Sequence, residues 1–235
     1  MGLAIAVNFI NRSNDSGNSE VVIFEARPSV PPLHTLRFHN NSGSTQTFVC
    51  FQPPMGATKG LAPAWFAMPV ANGVEVNFTW QETYDLIWME TGPLAPGIQF
   101  SASEVVPAAL GASNHVVLTF TDGIFSFADQ GPGPASELQI TTQAIPPNTA
   151  SIGIGMAGSP INIVQAASFT TNTFTPAINY WVTVADVAQG ELMDLSTLSS
   201  KAHVAFPPEV TGMTVTLRQG AMIGELVWTV QQGLV

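Results

Sequence analysis

The stretch SIGIGMAGSP (151–160) sets Gly153, Gly155 and Gly158 in the spacing G-x-G-x-x-G. After a strand and before a helix, that spacing lets the backbone approach a pyrophosphate, which the helix N-terminus then holds. Here Ser159-Pro160 leads instead into INIVQAASFTTNTF, which alternates as a strand does. Near 178, where an acid should reach for a ribose hydroxyl, the chain reads INYW, and Asp186 comes late. The segment is therefore expected to be a strand with Ile152, Ile154 and Met156 on one face and Gly153 and Gly155 on the other. Glycines so placed allow a close backbone approach or leave room for an aromatic ring. No cofactor is expected, although a small-molecule enzyme using GIGMAG stays open as the last alternative.

A second candidate is WQETYDLIWMETG (80–92), which gathers Glu82, Asp85 and Glu90 among Trp80, Tyr84 and Trp88. A glycosidase needs two carboxylates facing one sugar, with rings to stack on it. On a strand, however, Asp85 points away from Trp88 and Glu90, and Glu82 falls in the turn before it. Catalysis is not expected, whereas carbohydrate stacking on Trp65, Trp80, Tyr84, Trp88 or Trp181 is an alternative to these rings simply filling a core. His34, His39, His115 and His203 show no H-x-H or H-E-x-x-H spacing and no cysteine partner, so no metal site is expected. The oxygen-rich NRSNDSGNSE (11–20) lacks the calcium-loop register. Cys50 stands alone and reads as a core residue. Neither a G-x-S-x-G elbow nor a Walker loop occurs.

Composition narrows the partners. Charged residues make up 9% of the 235 and hydrophobic ones 46%, with a formal net charge of -10. The six basic residues, Arg12, Arg27, Arg37, Lys59, Lys201 and Arg218, form no run. Nucleic acid and anionic membrane, which need clustered Lys and Arg, are not expected partners. The N-terminus MGLAIAVNFINRSND has no basic n-region, and its apolar stretch is too short to span a bilayer. A cytoplasmic location is expected on that ground, with leaderless export left open.

The elements that must position these groups are strands. Eighteen prolines and twenty glycines punctuate runs rich in Val, Ile, Phe, Thr and Trp. Strands are expected at 3–10, 20–26, 34–40, 45–52, 64–70, 74–80, 85–90, 98–105, 114–121, 124–129, 136–143, 150–157, 161–167, 172–178, 180–186, 202–207, 212–218 and 225–231. No window keeps helical apolar spacing without a Pro or Gly, so few or no helices are expected. Many short strands with frequent turns mean an all-β sandwich or barrel.

Two stretches read alike. FTWQETYDLIWMETGPLAPGIQF begins at Phe78 and FTPAINYWVTVADVAQGELMDL at Phe174, each with a tyrosine six residues on, Tyr84 and Tyr180. Outward from them, 19–26 matches 150–157, WFAMPVA matches INIVQAA, and HVVLTFTDG matches GMTVTLRQG. The expectation is a duplicated antiparallel β-sandwich: a first module at 1–130, a Gly/Pro linker at 131–136 and a second module at 137–235, packed as one compact unit.

LAPAWFAMPVANGVEVNFTWQETYDLIWMETGPLAPGIQFSAS (61–103), followed by ASIGIGMAG, FTPAINYWVTVADVAQGELMD and VAFPPEVTGMTVTL, resembles the bacterial rhizosphere-induced RhiA-like proteins across most of the chain. VVIFEARP departs from the more polar tail related sequences carry after that strand. The resemblance implies a bacterium living around plant roots or using cell-density signalling. It attaches no reaction, ligand or catalytic residue to any position. With only two lysines to guard strand edges, many edges must be blunted by proline or covered by another subunit. The leading expectation is a non-enzymatic protein that binds or self-assembles, as a homo-oligomer in contact with a host, its partner a carbohydrate or another protein. A lectin-like carbohydrate-binding module is the first alternative.

Overall fold

In β1 (Leu33–Asn41) alternate residues turn inward, and His34, Leu36, Phe38 and Asn40 are the buried ones. The same period of two repeats along the chain in a computed structural model, which describes residues 31–54, 60–177, 179–222 and 224–234. The strands expected at 3–10 and 20–26 lie outside those residues. The first half continues with β2 (Gln46–Phe51), β3 (Leu61–Pro63), β4 (Phe66–Val70), β5 (Glu75–Gln81), β6 (Tyr84–Glu90), β7 (Glu104–Ala108), β8 (His115–Thr121) and β9 (Ile124–Gly131). Then come β10 (Leu138–Thr142), β11 (Ala150–Met156), β12 (Ser159–Gln165), β13 (Thr171–Phe174), β14 (Asn179–Val184), β15 (Leu192–Asp194), β16 (Lys201–Ala205), β17 (Gly212–Gln219) and β18 (Leu226–Gln232). The fold is all-β, and no helix occurs among the described residues.

Four four-stranded sheets form, ordered β18-β17-β1-β5, β16-β14-β2-β4, β9-β8-β10-β13 and β7-β6-β11-β12, with β15 paired to β3. The first two face each other through Phe38 on Phe48, ring centroids 4.8 Å apart, and Trp80 on Tyr180 at 5.1 Å. We call that pair sandwich 1. The other two meet through Trp88 and Phe125 at 5.4 Å and make sandwich 2. One apolar core runs through both. Trp65, fully buried, links them by donating its indole N–H to the Met156 carbonyl at 2.9 Å.

The two sandwiches follow one plan. β18-β17-β1-β5 and β9-β8-β10-β13 both pair antiparallel, parallel, antiparallel. The other two sheets are antiparallel throughout. Yet every sheet takes strands from both sides of 131–136. A division into one sandwich before that segment and one after it therefore does not describe the packing, because β6 to β9 cross to the sheets of β10 to β13, and β14 to β18 cross the other way. Nor is 131–136 a free linker: buried Asn114 donates to the Pro134 and Glu137 carbonyls, both at 2.6 Å, and accepts from Gly133 N–H at 2.8 Å. In sandwich 1 the place of β11 is held by β2, between β4 and β14, rather than by the matched stretch 19–26. Prolines sit in three edge strands, Pro69 in β4, Pro107 in β7 and Pro160 in β12, where a missing N–H blocks further pairing.

Candidate functional site

The glycines of β11 have separate uses. A Cβ on Gly153 would lie 2.1 Å from the Asn162 carbonyl oxygen and 3.0 Å from Ile163 Cα, so β12 packs against bare backbone there. After Ile154 the pairing slips by a bulge, and Gly155, itself buried, pairs with Asp85 of β6, where a Cβ would lie 3.3 Å from the Ser159 carbonyl oxygen. Gly158 turns the hairpin at φ +78°, a left-handed conformation that glycine takes without strain. Strand β12 follows directly, so no helix N-terminus stands where a pyrophosphate would need it.

Above Gly155 lies a cleft of about 410 Å³, within the range of small-molecule sites. Strands β11 and β6 contribute Gly155, Asp85 and Ile87, β7 contributes Val105, β12 contributes Ser159 and Pro160, and the paired segments carrying Phe100, Ser101, Gln189 and Gly190 complete the lining. The walls are built by local pairing. Phe100 N–H donates to the Gly190 carbonyl at 3.0 Å, Leu192 N–H to Ile98 at 2.9 Å and Gly97 N–H to Leu192 at 2.8 Å. The expected strand at 98–105 begins only at Glu104; its front half buries Phe100 over Ile87, Met89, Ile163 and Leu192 instead of joining a sheet. Gly190, at φ +83°, passes so near this wall that a Cβ would sit 2.7 Å from Gln99 Nε2.

The polar groups are held in place. Gln189 Nε2 donates to Ser159 Oγ at 2.6 Å, while Gln99 Nε2 donates to the Gln189 carbonyl at 2.6 Å. Asp85 is half-buried, and that burial raises its carboxyl above the ordinary value. Among the described residues, the lining contains no histidine, cysteine, lysine or arginine. What the cleft offers chemically is one carboxyl, two hydroxyls and an amide beside the apolar surfaces of Ile87, Phe100 and Val105.

The aromatic residues singled out in the sequence lie elsewhere. Trp65 is stacked on Tyr180 at 5.4 Å and meets Trp80 edge-on at 5.0 Å. Trp80 is 2% exposed and donates to Tyr180 Oη at 3.2 Å. Burial, with a smaller contribution from Glu82, pushes the Tyr84 hydroxyl up to about 12. Trp88, in the core of sandwich 2, donates to Glu104 Oε2 at 2.8 Å. Trp181 is half-buried on the outer face of β14, with His203 at 5.2 Å and Lys201 Nζ 5.6 Å from its ring centre. These five rings are thus not gathered around one cavity. Glu82 sits between β5 and β6, and Asp85 faces opposite to Trp88, as alternation requires. Burial raises the Cys50 thiol far above its usual range. No cluster of metal-ligating side chains occurs among the described residues. Sequence reasoning passed over Ser101, Ser159 and Gln189 as site residues; Ser159 follows Gly158 and Gln189 precedes Gly190, while no sequence signal marks Ser101.

No solved structure matches significantly. Protein RhiA of Rhizobium leguminosarum bv. viciae is 30% identical over 191 residues, covering 79% of this chain and 83% of that protein. The RhiA family profile matches residues 31–233, a span that includes every strand described above and both walls of the cleft. The chain is a member of the RhiA family.

Proposed function

We propose that this chain is a non-catalytic binding protein whose cleft over Gly155 takes a small polyhydroxylated ligand. The observation that carries the reading is a half-buried acidic side chain, paired with a glycine, in the lining of a cleft of small-molecule size. Asp85 presents a carboxyl that can accept from two neighbouring hydroxyls, and Ser101, Ser159 and Gln189 supply further donors and acceptors. Ile87, Phe100 and Val105 suit the C–H face of a sugar-sized molecule. General acid–base or nucleophilic chemistry asks for a second activated group beside the first, and the lining offers Asp85 alone. Proline in three edge strands favours binding over assembly by strand addition.

A panel of neutral monosaccharides, titrated by calorimetry and by ligand-detected NMR, tests this. Saturable binding is expected, weakened at least tenfold by Asp85→Ala and by Val105→Trp, a bulky ring at an exposed position of the lining, with unfolding midpoints near that of the parent. Failure of every neutral sugar to bind, or binding that both variants retain, sinks the proposal.

A further inference from the structure

A second cavity, of about 270 Å³, opens between the start of β1, the β5–β6 turn and the segment that follows β16. His34 and Glu82 line it together with the apolar surfaces of Phe206, Pro207 and Val210. The His34 side chain is 5% exposed, stacked on Trp80 at 5.7 Å and edge-on to Phe206 at 5.0 Å. Its Nε2 lies 2.9 Å from Glu82 Oε1. That contact is an ion pair only when His34 is protonated and does not have hydrogen-bond geometry; among the described residues neither ring nitrogen nor Glu82 Oε1 has a hydrogen-bond partner. Buried polar atoms left in that condition are costly, and native structures rarely retain them without a reason.

The missing group has a definite character. Nearby Tyr180 accepts from the Trp80 indole N–H at 3.2 Å, and no hydrogen bond joins its hydroxyl to the His34 ring nitrogens or Glu82 Oε1. Glu209, at the rim, adds a second carboxylate and is held at φ +66°, a conformation rare for a side chain of its type. Among the described residues, no lysine or arginine lines the cavity. A carboxylate and the unprotonated nitrogen of a neutral imidazole can both accept from a cationic donor with several N–H bonds, and the Phe206 ring and proline wall suit a short hydrocarbon tail. We infer that this cavity binds a small primary alkylammonium ion. Its head group bonds to Glu82, whose side chain keeps 19% of its surface accessible, and its tail lies along Phe206, Pro207 and Val210. This site is separate from the Asp85 cleft and stands or falls without it.

The probe is n-butylammonium chloride at pH 7, followed through the His34 ring resonances of the full-length protein, with n-butanol and sodium chloride as controls. A saturable shift is expected with butylammonium, at least tenfold weaker binding with butanol, and a linear response to salt. Glu82→Gln should weaken butylammonium binding at least tenfold, while Asp85→Ala leaves it unchanged. Equal binding of butanol, a response no different from salt, or full affinity in Glu82→Gln overturns the assignment. Should Glu82→Gln fail to fold, the comparison of butylammonium with butanol on the parent protein decides it.

Discussion

The two sandwiches share their strand order and diverge at one rung. In sandwich 2 the β11–β6 ladder sets Gly155 opposite Asp85; at the corresponding place in sandwich 1 the β2–β14 ladder sets Phe51 opposite Trp181. The next rung of each is marked by a tyrosine, Tyr84 or Tyr180. Phe51 is 2% exposed under Ala62, Ala64 and Met193, so the outer face of sandwich 1 is filled. Adjacent residues of β15 divide between the two faces: Met193 packs into this filled patch and Leu192 into the wall of the open one. A repeated topology thus does not repeat a site. A ring on this rung closes the outer face, while a glycine beside a carboxyl opens it.

Moving the open rung into sandwich 1 should have the largest effect. Phe51→Gly with Trp181→Asp empties a packed face, and a loss of about 4 kcal/mol is expected, read from the urea midpoint. Next comes Gly153→Ala. Its Cβ would meet backbone at 2.1 Å, and backbone cannot swing aside, so about 3 kcal/mol should be lost. Sandwich 1 carries Val49 on the matching rung, opposite Thr183, and tolerates it. A Gly153→Ala protein as stable as the parent would show that the close approach of β12 is not a constraint.

The edges give a smaller contrast. Glu104 Oε2 accepts from Trp88 Nε1 and from Phe127 N–H, both at 2.8 Å, and so ties β7 to β9 across sandwich 2. Ser200, just before β16, takes the Trp228 indole N–H of β18 at 2.8 Å in sandwich 1. Charge-assisted bonds exceed neutral ones. Glu104→Ala should therefore cost about 2 kcal/mol and Ser200→Ala about 1 kcal/mol; equal losses would mean the Glu104 charge adds nothing.

Much of this was legible in the sequence, because period-two alternation and Pro/Gly punctuation are local signals. The strand expected at 150–157, with isoleucines on one face and glycines on the other, is β11 (Ala150–Met156), which is buried on both faces. What alternation does not encode is which strands pair. The exchange between halves depends on contacts about a hundred residues apart, such as Cys50 with Val182, and no local pattern reports them. The three-residue strands β3 and β15 were missed for the same reason, since each exists only through the other. Tryptophan in a low-charge chain suggested a stacking surface, but Trp65 and Trp80 find hydrogen-bond partners inside the core, which composition does not reveal. The cleft was half-visible: its glycines stood out, while its acid came from a motif read for a different chemistry.

The smallest effect separates the rungs by pH. Burial raises the Asp85 carboxyl above its ordinary value, so between those two values the folded chain holds a proton that the unfolded chain has released. The stability this proton contributes is complete below the unfolded value and fades as pH rises through the folded one. Asp85→Asn should flatten that decline, whereas Trp181→Phe in sandwich 1 should leave the slope of the urea midpoint against pH as it was. A polyol whose hydroxyls donate to Asp85 needs the ionised carboxyl, so its affinity should rise with pH across the same window in which stability falls. Stability and affinity trending the same way would place the ligand away from Asp85.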